Sequence, residues 1–478
     1  MPSPSERVRA RLSHPVIDGD GHVLEFMPAV LPYLRESLGP RLFERYTSDA
    51  NPLGRIMHGG ASGQRQRTRA PQSAWWGTPA RNTRDLATAA LPRLMYERLD
   101  EFGIDFAVLY GTKSFGSASP EDPELRQGLC RGYNDFYADV YGPFSDRMTA
   151  AGLIPMHTPE EALAELDHCK AIGLKVVAFP EGVLREIAEP DPDGASPFLM
   201  PGQRHWFDTF GLDSAYDYDP VWRRCEELGF AVTCHGGVGS VSPFRFTSPT
   251  NYTYNHIGSF ADPMHRLVKS LYMGGVTRRF PKLNFAVLEC GVGWAAILLA
   301  DAIEHWHKRS LDGLENLDPA RIDWEELEAL VQRHGAELVP EGTDLRRALE
   351  ALPGTGSLPE DLDDWRFLEV AEERELVELF APRFYFGCEA DDRTIAFAFA
   401  PGNPLRARLQ PVFSSDLSHW DVPEMDEVLS EAWELVEEGT LDEQDLREFV
   451  CRNPAKLFLD QNPAFFDGTV VEGAALLD

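Results

Sequence analysis

Eight short apolar runs recur along the chain, and stretches with helical periodicity separate most of them. The runs are nearly continuous in hydrophobic residues, which is typical of parallel strands buried on both faces of a sheet. The alternation of strands and helices predicts an α/β fold, a (β/α)₈ TIM barrel, in which catalytic groups lie at the carboxyl ends of the strands. The predicted strands cover residues 16–18, 105–111, 148–155, 174–179, 230–235, 284–289, 383–389 and 411–416.

Four segments carry the clearest helical pattern, over residues 159–173, 219–229, 293–309 and 422–439. The first two end in glycine, the residue that most often follows the last turn of a helix. The pattern of residues 441–458 predicts one or two further helices that close the fold.

The chain has 478 residues, whereas a barrel of this type needs about 250. We therefore expect one barrel domain over residues 1–478 with two large insertions. Residues 40–90 follow the first strand, are rich in Gly, Arg, Ser and Thr, and are expected to cap the active face. Residues 310–380 lie between the sixth and seventh strands and form a strongly acidic insertion with a helical pattern.

The composition excludes several classes of partner. A net charge of −32 argues against nucleic acid and anionic membranes, because both require basic patches. The polar start of the chain does not resemble a signal peptide, and no apolar stretch is long enough to span a membrane. Seven cysteines without a CxxC motif indicate a reducing compartment, so we expect a cytoplasmic protein. We also expect a small-molecule substrate and a homo-oligomer.

The motif DGDGH places Asp18, Asp20 and His22 at alternate positions after a short apolar start. In an extended segment such residues project to the same side, so the three side chains are expected to converge. Two carboxylates and an imidazole at one point suggest a bound cation. The alternative is a solvated turn, with Gly19 and Gly21 supplying its conformation.

Further polar groups stand at the ends of other predicted strands. His235 ends the fifth strand, Glu289 the sixth and Asp416 the eighth, and His419 follows three residues later. All of them fall on the carboxyl side of their strands, where this fold builds its active sites. The joint pattern predicts one metal-binding cluster.

The segments DGDGHVLE, CHGG, FPKLNFAVLECGVGW, FGCE and SSDLSHWD together resemble the amidohydrolase-related family, in the branch of aminocarboxymuconate-semialdehyde-type decarboxylases. The resemblance implies an amidohydrolase-like barrel with metal ligands at Asp20, His22, His235 and Asp416. Decarboxylases of this family usually carry another His at the end of strand six, where this chain has Glu289. This departure argues against decarboxylation.

Glu289 can also bridge two metal ions. The wider superfamily usually does so with a carbamylated lysine that ends strand four, but Lys175 lies at the beginning of that strand and is expected to be structural. The carboxylate-rich ligand set suits iron or manganese at least as well as zinc. Glu289 and the DxDxH opening are similar to a smaller group of dinuclear non-heme oxygenases, including a diiron monooxygenase of diterpenoid antibiotic biosynthesis.

The favoured prediction is a non-heme diiron monooxygenase that hydroxylates a bulky apolar organic acid or its thioester. It would use two divalent ions, Fe with Mn or Zn as alternatives, together with O₂ and a separate electron donor. The alternative is a metal-dependent hydrolase or non-oxidative decarboxylase, and a metal-stabilised binding protein is the non-enzymatic hypothesis. The predicted catalytic residues are Glu289 and His419, and the predicted metal ligands are Asp18, Asp20, His22, His235, Glu289 and Asp416.

Three more residues are candidates for a metal or substrate contact. His256 lies in a segment expected to overhang the site, His265 lies at a helix start, and Glu389 ends strand seven. A structural role is the alternative for each. For Asp18, a role as a hydrogen-bonded acid at the strand end carries equal weight with metal ligation.

Overall fold

The computed structural model describes residues 2–48, 62–72, 80–188, 199–200, 202–236, 247–352 and 363–477. Eight parallel strands form one sheet in the order β1-β2-β3-β4-β7-β8-β9-β10, which confirms the predicted (β/α)₈ TIM barrel. The barrel strands are β1 (Ile17–Val23), β2 (Phe106–Gly111), β3 (Met148–Leu153), β4 (Val176–Phe179), β7 (Val232–Cys234), β8 (Phe285–Val287), β9 (Phe384–Glu389) and β10 (Gln410–Ser414).

Helices alternate with these strands and supply the outer layer. They are α1 (Pro4–Arg9), α2 (Met27–Thr47), α3 (Ser62–Thr68), α4 (Thr83–Ala90), α5 (Pro92–Arg98), α6 (Pro123–Tyr141), α7 (Pro159–Ala171), α8 (Asp219–Leu228), α9 (Tyr252–His256), α10 (Ala261–Met273), α11 (Val276–Arg279), α12 (Gly293–Arg309), α13 (Leu311–Leu314), α14 (Trp324–His334), α15 (Leu345–Leu349), α16 (Glu373–Phe380), α17 (Ile395–Ala398), α18 (Val428–Glu437), α19 (Glu443–Arg447) and α20 (Asn453–Leu459). No helix in the described ranges has both the length and the apolar character that crossing a membrane requires.

Local signals set the ends of the helices that the sequence predicted. α7 begins after Thr158, whose hydroxyl accepts the backbone N–H of Glu161, and Pro159 takes the first helical position. α8 ends at Gly229, which adopts a left-handed φ of 74° that a side chain would disfavour. The predicted helix at 422–439 begins later, because a 3₁₀ turn at Met425–Glu427 precedes α18.

The first strand differs from the prediction in length and regularity. β1 includes the whole DGDGH motif and is buried throughout, whereas the sequence predicted a strand that ends at Asp18. Its register with β2 shifts between Asp18 and Gly21. Such an irregularity changes which way the side chains point, so the simple alternation assumed for Asp18, Asp20 and His22 does not hold along the motif.

Two short strands were not predicted. β5 (Val183–Glu186) and β6 (His205–Asp208) form an antiparallel hairpin after β4, outside the barrel. Each strand has only two adjacent apolar residues and most of the residues are half-buried, so no apolar run marks them. An ion pair between Arg185 and Asp208, at 2.9 Å, ties the hairpin together.

The described parts of the two expected insertions are helical. Residues 40–90 contain the end of α2, the short α3 and α4, and residues 49–61 and 73–79 of this range lie outside the described residues. The range 310–380 contains α13 to α16 with intervening 3₁₀ turns, and residues 353–362 lie outside the described residues. The capping role of the first insertion stays a prediction.

A buried carboxylate fixes the loops that follow β1 and β2. Glu25 accepts hydrogen bonds from the Tyr137 hydroxyl at 2.6 Å and from the backbone N–H groups of Lys113 and Ser114 at 2.7 and 3.0 Å. Glu25 is only 1% exposed, so the two backbone donors depend on it, while the Tyr137 hydroxyl also contacts the Ser114 hydroxyl at 2.8 Å. This contact holds the mouth of the barrel next to the motif residues of β1.

We expect Glu25→Ala to destabilise the fold by about 2–4 kcal/mol, because it leaves buried donors without an acceptor. Tyr137→Phe removes one donor and should cost about 1 kcal/mol. Urea unfolding followed by circular dichroism measures both changes, with Tyr33→Phe as a control because its hydroxyl contacts Asp139 at the surface. Equal effects of Tyr137→Phe and Tyr33→Phe would contradict this account.

Candidate metal centre

Residues from β1, β7 and β8 converge at the carboxyl end of the barrel. The Nε2 atom of His235 lies 3.1 Å from Oε2 of Glu289 and 3.8 Å from Oδ1 of Asp20. The Nε2 atom of His22 lies 3.7 Å from the same Asp20 oxygen. A hydrogen bond from Nδ1 of His235 to the Gly236 carbonyl, at 2.9 Å, leaves Nε2 to face the cluster.

The loop after β10 completes the cluster. Oδ1 of Asp416 lies 3.3 Å from Nε2 of His22 and 2.6 Å from Nδ1 of His419. The ligand-capable atoms form two groups, within each of which they lie within 4.8 Å of one another. The first group is Asp20, His22 and His235, and the second is His22, Glu289, Asp416 and His419.

Buried polar atoms in this cluster fit a metal ion. Oδ1 of Asp20 and Nε2 of His22 are fully buried, and neither has a hydrogen-bond partner among the described residues. Leaving such atoms without a partner is costly, and a coordinated cation satisfies them. Carboxylate oxygens together with imidazole nitrogens are ligands that Mn²⁺, Fe²⁺ and Zn²⁺ accept. The residues therefore fit a divalent metal ion.

Burial dominates the electrostatics of the cluster. It raises the pKa of Asp20 to about 7, although the nearby His235 opposes the change. Burial, with the adjacent Glu289 carboxylate, also holds the pKa of Asp416 well above its usual value. The pKa values of His22 and His419 are held well below normal, again chiefly by burial. The imidazoles are therefore neutral, which is the form that binds metal.

Two residues of the cluster have unusual backbone conformations. Glu289 and Asp416 have φ angles of 53° and 49°, in the left-handed region that residues other than glycine rarely adopt. Each such residue costs on the order of 1 kcal/mol or more, and it persists only where its surroundings impose it. Both sit directly after barrel strands, at the turns that direct their carboxylates into the cluster.

Asp18 occupies the seam between the first and last barrel strands. Its carboxylate accepts the Ser415 hydroxyl at 2.6 Å and the backbone N–H groups of Ser415 and Asp20, each at 3.1 Å. A Cβ atom added at Gly21 would lie 2.5 Å from this carboxylate, and one at Gly19 would lie 2.4 Å from Val412. The two glycines therefore allow β1 to approach β10 closely, rather than forming a turn.

His419 lies between the cluster and a hydroxyl group. Its ring stacks on that of His22 with centroids 3.8 Å apart. Its Nε2 is hydrogen-bonded to the Thr112 hydroxyl at 3.1 Å, while Nδ1 faces Asp416. With the ring proton on Nδ1, Nε2 accepts from Thr112, so a carboxylate, an imidazole and a hydroxyl form one chain.

The candidates His256, His265 and Glu389 belong to neither ligand group of the cluster. His256 and Glu389 line a cavity of about 750 Å³ that Glu289 also lines. The pKa of Glu389 is raised to about 8 by burial and by the Glu289 carboxylate. His265 belongs to neither ligand group, and its ring packs against Trp294 with centroids 5.5 Å apart.

Three residues of the site were not identified from the sequence. Thr112 directly follows β2, and its position after an apolar run is the same signal that identified His235. Ser415 lies inside the SSD motif but was not assigned a role. Phe115, whose ring centroid lies 4.6 Å from that of His235, comes from a loop whose path the sequence does not reveal.

A parallel (β/α)₈ barrel with carboxylates and imidazoles clustered at the strand ends is the architecture of a metal-dependent barrel enzyme. Residues 81–344, more than half of the chain, match the model of the amidohydrolase family. The chain belongs to that family, and it is a metal-dependent enzyme of the amidohydrolase superfamily.

Solved structures agree with the fold. A crystal structure of an amidohydrolase from Mycobacterium avium subsp. paratuberculosis K-10 is 16% identical, covers 94% of this chain and 100% of its own, and superposes with a TM-score of 0.55. A dihydroxybenzoic acid decarboxylase from Polaromonas sp. JS666 with bound manganese is 14% identical, covering 93% and 97% of the two chains, at a TM-score of 0.45. The 5-carboxyvanillate decarboxylase from Sphingomonas paucimobilis is 14% identical, covering 93% and 99%, at 0.42. The likenesses below 0.5 carry no inference about this chain.

Membership in the family supports the hydrolase or decarboxylase alternative better than the diiron monooxygenase that the sequence favoured. Nothing in the fold or the family match supports iron, O₂ or a separate electron donor. The hydrolase, decarboxylase and monooxygenase hypotheses all involve a reaction of a small molecule at a divalent metal.

We expect Asp18→Asn to weaken metal binding by about 10- to 100-fold, the usual effect of losing a partner that holds a ligand in place. Ser415→Ala should weaken it in the same direction, because the serine hydroxyl fixes the Asp18 carboxylate. Competition with a fluorescent chelator measures both affinities, with Asp135→Asn as a control, since Asp135 pairs with His168 away from the cluster.

A loss of affinity in Asp18→Asn with none in Ser415→Ala would contradict this positioning role. It would favour Asp18 as a direct ligand.

Proposed function

We propose that the protein catalyses the metal-dependent hydrolysis of a small molecule at a carbonyl–nitrogen or carbonyl–oxygen bond. The observation that carries the proposal is the position of Glu289, which contacts His235 in the ligand cluster and also lines the cavity. Glu289 therefore belongs both to the candidate metal ligands and to the wall of the proposed substrate cavity. Membership in the amidohydrolase family supports the same reaction class.

The ligand groups support a proposal of two divalent ions. Asp20, Glu289 and Asp416 bring three carboxylates together, and one divalent ion would leave them with excess negative charge. Asp20, His22 and His235 would hold one ion, while Glu289 and Asp416 would hold the other. When bound, such ions supply Lewis acidity and a water molecule of lowered pKa. Manganese or zinc suffices for this role, because hydrolysis involves no redox step.

The residues of the chain handle the proton. Oδ1 of Asp416, at the edge of the cluster, is placed to accept a proton from an attacking water, and Nδ1 of His419 lies 2.6 Å away. His419 donates from Nδ1 to the Asp416 carboxylate, which can only accept, and holds it in place, while the Thr112 hydroxyl donates to Nε2. The rings of Phe115 and Phe260, with centroids 4.6 and 6.0 Å from that of His235, keep bulk water from that side of the cluster.

The cavity favours hydrolysis over decarboxylation. A decarboxylase must bind a substrate carboxylate, but the cavity walls carry Glu289, Glu389 and Asp391. Like charges at short range oppose the binding of an anion, and the arginine of this lining, Arg393, is already paired with Glu438. Decarboxylation therefore stands as an outcome of the test rather than as a second proposal.

We expect protein loaded with zinc or manganese to hydrolyse members of an ester, amide and lactam library under argon as fast as in air. Stopped assays by mass spectrometry detect the products, and His22→Ala provides the metal-deficient control. Turnover that requires Fe(II) and consumes O₂ would overturn the proposal in favour of an oxygenase. Release of CO₂ without hydrolysis would overturn it in favour of a decarboxylase.

We expect His419→Asn to lower kcat by about 10- to 100-fold, the range for loss of a residue that positions a functional group, with a small change in KM. Thr112→Val should lower kcat by less, because His419 keeps its contact with Asp416. Steady-state kinetics on the best library substrate, with metal content measured in parallel, provides the check. A loss of activity fully explained by a loss of metal would show that His419 acts as a ligand rather than by positioning Asp416.

A further inference from the structure

The cavity beside Glu289 contains a carboxylate that the protein does not neutralise. Glu389 is half-buried at the end of β9, and no described residue donates a hydrogen bond to it or forms an ion pair with it. The neighbouring Asp392 differs, because the Thr394 backbone N–H and hydroxyl donate to its carboxylate at 2.7 and 3.0 Å. Asp391 adds a further, exposed carboxylate to the same wall.

The cationic side chain among the described lining residues, Arg393, has its partner outside the cavity. The guanidinium of Arg393 forms an ion pair with Glu438, a residue near the end of α18 that is not part of the cavity lining. Its charge is therefore compensated outside the cavity. The described lining of this space therefore lacks a free cation, and burial raises the pKa of Glu389 to about 8. A bound cation would favour the charged carboxylate and satisfy a group that is costly to leave without a partner.

Aromatic rings line the same space. Phe260, Trp294 and His256 face the cavity. The indole N–H of Trp294 donates to the Cys290 carbonyl at 2.9 Å, so this side chain offers its ring rather than a hydrogen bond. Aromatic faces next to carboxylates form a surface that attracts organic cations and rejects anions.

We infer that the substrate carries a positively charged nitrogen, an ammonium group on an aromatic or apolar body, and that Glu389 is the residue that selects it. The inference rests on the proposed function in one respect, namely that this cavity holds the substrate of the metal centre. It replaces the organic acid or thioester expected from the sequence, because a carboxylate in this cavity would meet Glu389 and Asp391. Since Glu389 belongs to neither ligand group, its role is separable from metal binding.

The test compares three probes of similar shape and different charge: 2-phenylethylamine, 2-phenylethanol and phenylacetate. Calorimetric titration into the metal-loaded protein gives each affinity, and elemental analysis confirms the metal content of every sample. We expect the amine to bind at least about tenfold more tightly than the alcohol or the anion, as is usual for a hydrogen bond to a charged group. This preference should decrease as salt is added.

Glu389→Gln should lower the affinity for the amine by about tenfold and leave that for the alcohol unchanged. Glu337→Gln is the matched control, because it removes the same charge from an exposed site outside the cavity. Tighter binding of phenylacetate than of the amine, or an unchanged amine affinity in Glu389→Gln, would overturn the inference. Because the readout is binding, hydrolysis without amine preference refutes this inference alone, and amine preference without hydrolysis refutes the proposed function alone.

Discussion

The need to bury three carboxylates together governs the active face of this barrel. Asp20, Glu289 and Asp416 are each at most 7% exposed, and among the described residues the ion-pair contacts of Asp20 and Asp416 are to histidines rather than to lysine or arginine. Like charges in a low-dielectric site raise one another's pKa, so the cluster must either hold protons or bind cations. The imidazole of His22, whose pKa burial holds well below its usual value, contributes a ligand but no charge. A divalent metal ion supplies the positive charge that the carboxylates lack, and the imidazole nitrogens can coordinate it.

The closure of the barrel keeps these groups in place. Asp18 joins β1 to the loop after β10 through Ser415, and Ser414 donates to Oδ2 of Asp20 at 2.9 Å across the same seam. This side-chain contact leaves Oδ1 of Asp20 directed at the cluster. The glycines of DGDGH allow the approach, because any side chain at Gly21 would collide with Asp18. The contacts that hold β1 against β10 are therefore the same contacts that orient the candidate metal ligand Asp20.

Much of this arrangement follows from the sequence for simple reasons. The barrel strands are buried on both faces, so they appear as continuous apolar runs, and His235, Glu289 and Asp416 follow such runs directly. The hairpin at β5 and β6 was missed because each strand has only two adjacent apolar residues and is mostly half-buried, so it forms no continuous apolar run. The irregularity in β1 was missed because alternation assumes a regular strand, and the contact of Asp18 with Ser415 joins residues that are 397 positions apart. The preference for an oxygenase rested on Glu289 and the DxDxH opening, and a carboxylate at the end of strand six serves hydrolysis equally well.

The metal content of the protein tests the central claim most directly. Protein purified without chelators and analysed by inductively coupled plasma mass spectrometry should contain about two divalent ions per chain, enough to balance the clustered carboxylates. His235→Ala should lose at least one of them while the barrel stays folded by circular dichroism. A wild-type protein without bound metal, or a metal content that His235→Ala and Asp20→Asn leave unchanged, would contradict the account.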